Sequence, residues 1–148
     1  MLDVLDIHTH TTASGHAYNT IYEMAQSASR KGLALLGISD HGPAMEGSAS
    51  KHYFRSSRCI PRELYGVKIL FGCELNIMDY DGGVDLDEVF AGALDYGIAS
   101  LHDVCITPGS RAENTRAYLK AMENPMFSNL IDATWKLIEH EKTGSAIC

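Results

Sequence analysis

The run "LALLGISDHG", Leu33 to Gly42, carries no charge for seven residues and then turns abruptly to Asp40-His41-Gly42. A strand with one wet face alternates apolar and polar residues. A uniformly apolar run bounded by glycine fits a strand buried on both faces, as in a parallel sheet covered by helices. The reactive pair directly after it then carries weight, because the functional loops of parallel α/β proteins gather at the C-terminal ends of the strands.

Working outward, the same alternation of apolar patch and helical pattern continues in both directions. Val4 to Ile7 reads as a short strand. Ile21 to Lys31 reads as a helix, capped by Thr20 with Glu23 three residues on and stopped by Gly32. "VKILFGCEL" (Val67 to Leu75) is a third strand, "DYDGG" (Asp79 to Gly83) a tight turn and Leu86 to Leu94 a short helix. "YGIASLH" (Tyr96 to His102) is a fourth strand and Ala112 to Met122 a helix. Met126 to Ile131 is read as a fifth strand and Ala133 to Lys142 as a final helix. Strand following helix in this order indicates an α/β fold with a parallel sheet. No glycine-rich phosphate loop, repeat or linker interrupts it.

The totals narrow the function classes. The 148 residues allow one domain, and 45% hydrophobic with 21% charged residues describe an ordinary globular chain. A net charge of −7 argues against a nucleic-acid partner. It remains compatible with a small phosphorylated substrate when bound cations supply local positive charge. Cys59, Cys73, Cys105 and Cys148 are widely spaced, as reduced thiols would be. No signal peptide or membrane-length apolar run is visible, so the expectation is cytoplasmic.

The chemistry concentrates at the predicted strand ends. "LDIHTHTTASGHAY" (Leu5 to Tyr18) places His8, His10 and His16 just after the first strand. On a strand, Asp6, His8 and His10 share a face, with the two imidazoles about 7 Å apart. They would converge on one ion or straddle two, with Asp6 accepting a free imidazole N–H. Strand two delivers Asp40 and His41, strand three Glu74, and strand four His102 and Asp103. Imidazoles mixed with carboxylates suit Zn²⁺, Mn²⁺ or Fe²⁺, and the absence of thiolates disfavours a closed structural zinc site. Adjacent ions generate hydroxide at neutral pH and clamp phosphoryl oxygens. Arg55, Arg58 and Arg62 either grip a substrate phosphate or are solvated charges. His52 lines a pocket mouth or is exposed. His140 reads as solvated and Trp135 as a core or interface anchor.

Taken in order, "DIHTHTTASGHAY", "ISDHG", "FGCELNI" and "SLH" resemble the successive metal motifs of the PHP (polymerase and histidinol phosphatase) family. The match is closest to its small stand-alone bacterial phosphatase branch, on His16-Ala17-Tyr18-Asn19-Thr20, Asp40-His41-Gly42-Pro43-Ala44-Met45 and Gly72-Cys73-Glu74-Leu75-Asn76. The resemblance implies a distorted TIM-like (βα) barrel of seven units whose multinuclear centre hydrolyses small phosphomonoesters. It implies metal-ligand roles for His8, His10, His16, His41, Glu74 and His102, with Asp40 behind them. Glu74 would bridge the ions, Glu74 and His102 would carry catalysis, and a metal-bound hydroxide would be the nucleophile. Arg58 and Arg62 are the substrate-phosphate candidates. An amidohydrolase-type barrel also begins with H-x-H, but His16, "SDHG" and Glu74 argue against it.

The chain also departs from the family pattern. The resemblance covers Leu5 to about Pro125, and residues 126–148 diverge from it. Asp132 stands where a fifth-strand histidine belongs, as an oxygen-ligand candidate, and the late Asp and His have no counterpart. A complete barrel of this kind needs about 250 residues, so the expectation is a single truncated domain with about the first five units of seven. An open sheet edge would then invite a homo-oligomeric partner. The alternative function is a metal-binding or assembly remnant of the fold without turnover.

Overall fold

Short apolar runs joined by capped helices fold into an α/β unit whose parallel sheet curls into a half-barrel. The computed structural model describes residues 5–124. The predicted fifth strand (Met126 to Ile131), the final helix (Ala133 to Lys142), Asp132, Trp135, His140 and Cys148 lie outside the described residues.

In chain order the elements are β1 (Leu5–Asp6), α1 (Ile21–Lys31), β2 (Leu35–Ile38), α2 (Lys51–Ser56), β3 (Glu63–Leu64), β4 (Val67–Asn76), α3 (Glu88–Ala91), β5 (Tyr96–Ser100) and α4 (Arg111–Met122). β1, β2, β4 and β5 are parallel neighbours in that order, and β3 pairs antiparallel with the start of β4.

The ten residues of β4 organise everything else. One set of alternate side chains faces outward to the helices. Ile69 and Phe71 pack with Leu36, Ile38 and with Ala25 and Ala28 of α1. Cys73 and Leu75 pack with Phe54, Leu86, Ala99 and with Ala117 and Ala121 of α4. The other set, Gly72, Glu74 and Asn76, faces into the half-barrel. Register does the rest. Phe71 pairs with Ile38, and a further bridge sets His41 beside Glu74. Glu74 pairs with Ile98 and Asn76 with Ser100, so His102 emerges two residues past the end of β5. No helix among the described residues is long and apolar enough to cross a membrane.

The capping box at Thr20 and Glu23 and the left-handed Gly32 stop bound α1 where the sequence indicated. The Asp79–Gly83 turn is present, with Asp79 Oδ1 accepting from the N–H groups of Asp81 and Gly83. Other expectations need correction. The predicted helix Leu86 to Leu94 shrinks to one turn, because Leu86 is drawn into the core ahead of it. The strands are shorter than read, apart from β4, which gains Asn76. The polar stretch after His41 contains α2 and a short 3₁₀ turn at Ser57–Cys59. β3 was unforeseen. Tyr65 and Gly66 both have positive φ, 54° and 76°, and close a two-residue hairpin from Leu64 to Val67.

Candidate metal centre

β1 ends at Asp6, so the two-residue period of a strand does not reach His8 and His10. A hydrogen-bonded coil carries them instead. Thr9 is stitched to β2 and the residue after it by four hydrogen bonds: its N–H donates to Ser39 Oγ (3.1 Å), its carbonyl accepts from Ser39 N–H (2.8 Å) and Ser39 Oγ (3.2 Å), and its hydroxyl donates to Gly37 O (2.6 Å). A 3₁₀ turn at Thr12–Ser14 follows, ended by Gly15 at φ 80°. A Cβ on Gly15 would lie 2.4 Å from Gly47 O, so glycine is required there twice over.

Asp40, fully buried, holds this loop in place. Its Oδ1 accepts from Thr11 N–H (2.6 Å) and Ser14 Oγ (2.8 Å), and its Oδ2 from Thr11 Oγ1 (2.8 Å) and the Tyr53 hydroxyl (2.6 Å). Burial and the charge of Asp40 push the Tyr53 phenol well above its ordinary range, so it remains a donor.

Four imidazoles from three loops converge on Glu74, which is 3% exposed. His8 Nε2 and His10 Nε2 lie 3.2 Å, and His41 Nδ1 3.0 Å, from Glu74 Oε2. His102 Nε2 lies 3.5 Å from Oε1, which also accepts from Ser100 Oγ at 2.5 Å. Two three-residue groups result, His8/His10/Glu74 and His41/Glu74/His102, with the carboxylate common to both.

The network around the rings fixes their tautomers. Ser14 Oγ gives its one proton to Asp40 and accepts from His41 N–H (3.1 Å), so its contact with His10 Nδ1 (3.0 Å) is an imidazole N–H donating. Asn76 Nδ2 donates to Asp85 Oδ2 (2.6 Å) and Gly42 O (3.2 Å), which turns its Oδ1 toward His102 Nδ1–H at 2.7 Å. With Nδ1 engaged in each case, His10 and His102 turn Nε2 toward the carboxylate. His41 Nδ1 is buried, close to Oε2, and makes no hydrogen bond. The two atoms are close enough for an ion pair but lack the geometry of a hydrogen bond.

The electrostatics agree. Burial pushes His41 down to about 4, with the charge of Glu74 opposing and the neighbouring histidines adding to the shift, so the ring is neutral at pH 7. Burial alone would push Glu74 up. The imidazoles of His10, His102 and His8 and the charge effect of His41 outweigh it and hold Glu74 well below the usual carboxylate range. Two ligand atoms about 2.1 Å from one ion lie about 3.0 Å apart at a right angle and about 3.4 Å apart at a tetrahedral one. The separations of His8, His10 and His41, 3.0–3.2 Å, fall in that span, and that of His102, 3.5 Å, lies just above it. The donor set and its orphaned nitrogen therefore fit divalent metal.

The remaining sequence candidates divide. His16 stands beside the cluster, its ring 4.8 Å from that of His41 and its Nδ1–H donating to Ser14 O at 2.9 Å, which leaves Nε2 free to ligate. Asp6 accepts from the main-chain N–H of His8 at 3.3 Å. Arg58 and Arg62 are not brought to the centre. Arg58 donates to Gly92 O (2.7 Å) and Arg62 pairs with Asp95, both immediately before β5, at the end of the strand opposite His102. His52 packs edge-on against Phe90. Sequence reasoning assigned no role to Ser14, Ser100 or Asp85, nor to Asn76 although its motif was noted. Their signal is tertiary, because small polar residues acquire these roles only through partners up to 27 positions away.

Comparison with known proteins bears on this site. The PHP domain profile matches residues 6–142, past the stretch on which the resemblance was read. The chain is 50% identical over 122 residues to a probable phosphatase of Acetivibrio thermocellus, covering 82% of this chain and 51% of that protein. A probable phosphatase of Clostridium novyi is 52% identical over 122 residues (82% and 50%), and one of Caldicellulosiruptor saccharolyticus 51% over 121 residues (82% and 51%). The chain thus spans about half the length of these relatives.

Proposed function

The chain belongs to the PHP domain family, and on that premise we propose that it is a metal-dependent phosphoesterase acting on small phosphomonoesters. One observation carries the reading: four imidazole nitrogens crowd a buried carboxylate at 3.0–3.5 Å, and one of them, His41 Nδ1, is buried without a hydrogen bond. His8, His10 and Glu74 would hold one ion, and His41, Glu74 and His102 a second, with His16 next to the latter and Glu74 bridging. Asp132 is a further ligand candidate from outside the described residues. Zn²⁺ or Mn²⁺, with Fe²⁺ as a third choice, suits this nitrogen-and-oxygen set.

Divalent ions so placed supply water activation at neutral pH and neutralise phosphoryl charge. The chain's own residues do the rest. Ser14 and Asn76 hold the protons on His10 Nδ1 and His102 Nδ1, which aims both Nε2 atoms inward. Ser100 fixes the Glu74 carboxylate through Oε1. Asp40, tied to Thr11, Ser14 and Tyr53, keeps the first loop from shifting. Support for the phosphate substrate comes from the relatives' names, since Arg58 and Arg62 are turned to the other end of the sheet. A cytoplasmic setting fits the free thiols of Cys59, Cys73 and Cys105.

The test joins metal content to turnover. Protein purified without chelator or affinity histidines is expected to carry two ions per chain and to hydrolyse an aryl phosphate with added Mn²⁺ or Zn²⁺. The double variant His8→Ala/His10→Ala should lose at least a hundredfold in rate. Equal rates in the two proteins would sink the enzyme reading. A second reading, a metal-binding or assembly module without turnover, is favoured by β1 and β5, each of which has one strand neighbour among the described residues. It predicts bound metal, no hydrolysis and self-association through the open edge.

A further inference from the structure

One phenol crosses the floor of the half-barrel directly beneath the carboxylate. Tyr96 opens β5 and pairs with Gly72 of β4, one inward-facing layer below Glu74. Its ring lies across Gly72, where a Cβ would meet three ring carbons at 2.5–2.7 Å. It continues over Gly37 of β2, where a Cβ would meet the phenol oxygen at 2.4 Å and the Cα of Ile7 at 2.8 Å. The hydroxyl then donates to Ile7 O at 2.6 Å, across 89 positions of sequence. A single side chain, 4% exposed, therefore spans β5, β4 and β2 to reach the residue before His8.

That reach matters because β1 is otherwise lightly held. It has two residues, both exposed, and two register pairs with β2, and no strand among the described residues covers its other edge. Thr9 ties the coil to Gly37 and Ser39 on the far side of His8, and the phenol supplies Ile7 with an anchor of its own on the near side, with His8 3.2 Å from Glu74. Glycine at both 37 and 72 clears the path, although glycine inside strands otherwise weakens them.

We propose that Tyr96 is a positioning residue for the His8/His10 half of the centre, its hydroxyl fixing Ile7 so that both imidazoles meet Glu74. His41 and His102 are anchored by Ser14 and Asn76, and Ser14 also holds His10 Nδ1, so the effect should fall on one half and chiefly through His8. The inference rests on the two-ion reading above.

The experiment titrates metal-free protein with Mn²⁺ calorimetrically. The unaltered chain should show two binding events. Tyr96→Phe keeps the ring over the glycines and removes the hydroxyl, with its tie to Ile7 and its contact with Ser39. It should weaken one event at least tenfold and leave the other within twofold, and add nothing further in a His8→Ala background. Tyr96→Leu, which also cannot reach Ile7, should give the same selective loss, so either folded variant suffices. Two unchanged events overturn the assignment. So does equal weakening of both alongside a lowered melting midpoint, the mark of a merely structural role. An unaltered chain that takes up no Mn²⁺ overturns the metal reading itself, and this assignment with it.

Discussion

Glu74 sits at the bottom of a cup whose wall is imidazole, and its charge is the fixed point to which every neighbouring proton answers. The side chains that place those protons are as consequential as the rings. Ser14 is the clearest instance, since its hydroxyl meets Asp40, His10 and the His41 N–H together. Ser14→Ala should leave the fold intact and weaken metal affinity about 10–100-fold, the range seen when the hydrogen-bond partners of metal ligands are removed. Competition with a chromophoric chelator reads this directly, and unchanged affinity would refute the role. Asn76→Leu should act alike by freeing His102 Nδ1–H.

At the scale of elements, the helices that buttress the sheet are set by their caps. Thr20 with Glu23, and Ser110 with Glu113, form reciprocal capping boxes at α1 and α4. Thr20→Ala and Ser110→Ala should each cost about 1 kcal/mol in urea unfolding. Their acid dependence has a definite sign. The backbone N–H and hydroxyl of Thr20 lower the Glu23 carboxyl below its ordinary 4.5, and those of Ser110 do the same for Glu113. A group lowered on folding contributes stability above its unfolded pKa and loses it as pH falls through the folded one. The margin of the unaltered protein over Thr20→Ala should therefore be full at pH 7 and shrink below about pH 4. A pH-independent margin would mean that the carboxylate takes no part.

For the whole molecule, the curl of the sheet determines whether the ligands meet. Loops after β1, β2 and β5 contribute imidazoles around a carboxylate on β4, so the centre closes the same surface that the fold opens. Metal and fold should be coupled. An ion bound only by the native state, at a hundredfold excess over its Kd, adds about 2.7 kcal/mol. Mn²⁺ or Zn²⁺ should raise the melting midpoint by several degrees, chelator should reverse this, and His8→Ala/His10→Ala should abolish most of the shift. On the outer side, Phe54 is fully buried in the cluster under α4. Phe54→Ala should cost about 3–5 kcal/mol, measurable as a lost or strongly shifted denaturant transition.

Much of this was written in the chain's local pattern. The uncharged run Leu33–Ser39, the capped helix Ile21–Lys31 and the turn at Asp79–Gly83 are short-range features, set by side-chain periodicity, capping chemistry and glycine. His8, His10, His41, Glu74 and His102 were likewise legible, because parallel strands deliver their C-terminal residues to one rim. Tertiary structure alone decided how those residues meet. Strand register, not strand period, sets His41 against Glu74, and a coil tied by Thr9 brings in His8 and His10. It also turned Arg58 and Arg62 toward the far end of β5 and recruited Ser14, Asn76, Ser100 and Tyr96. The reason is physical. A propensity or a cap is settled within a few residues, whereas the proton on an imidazole and the reach of a phenol depend on atoms that only the folded chain places beside them.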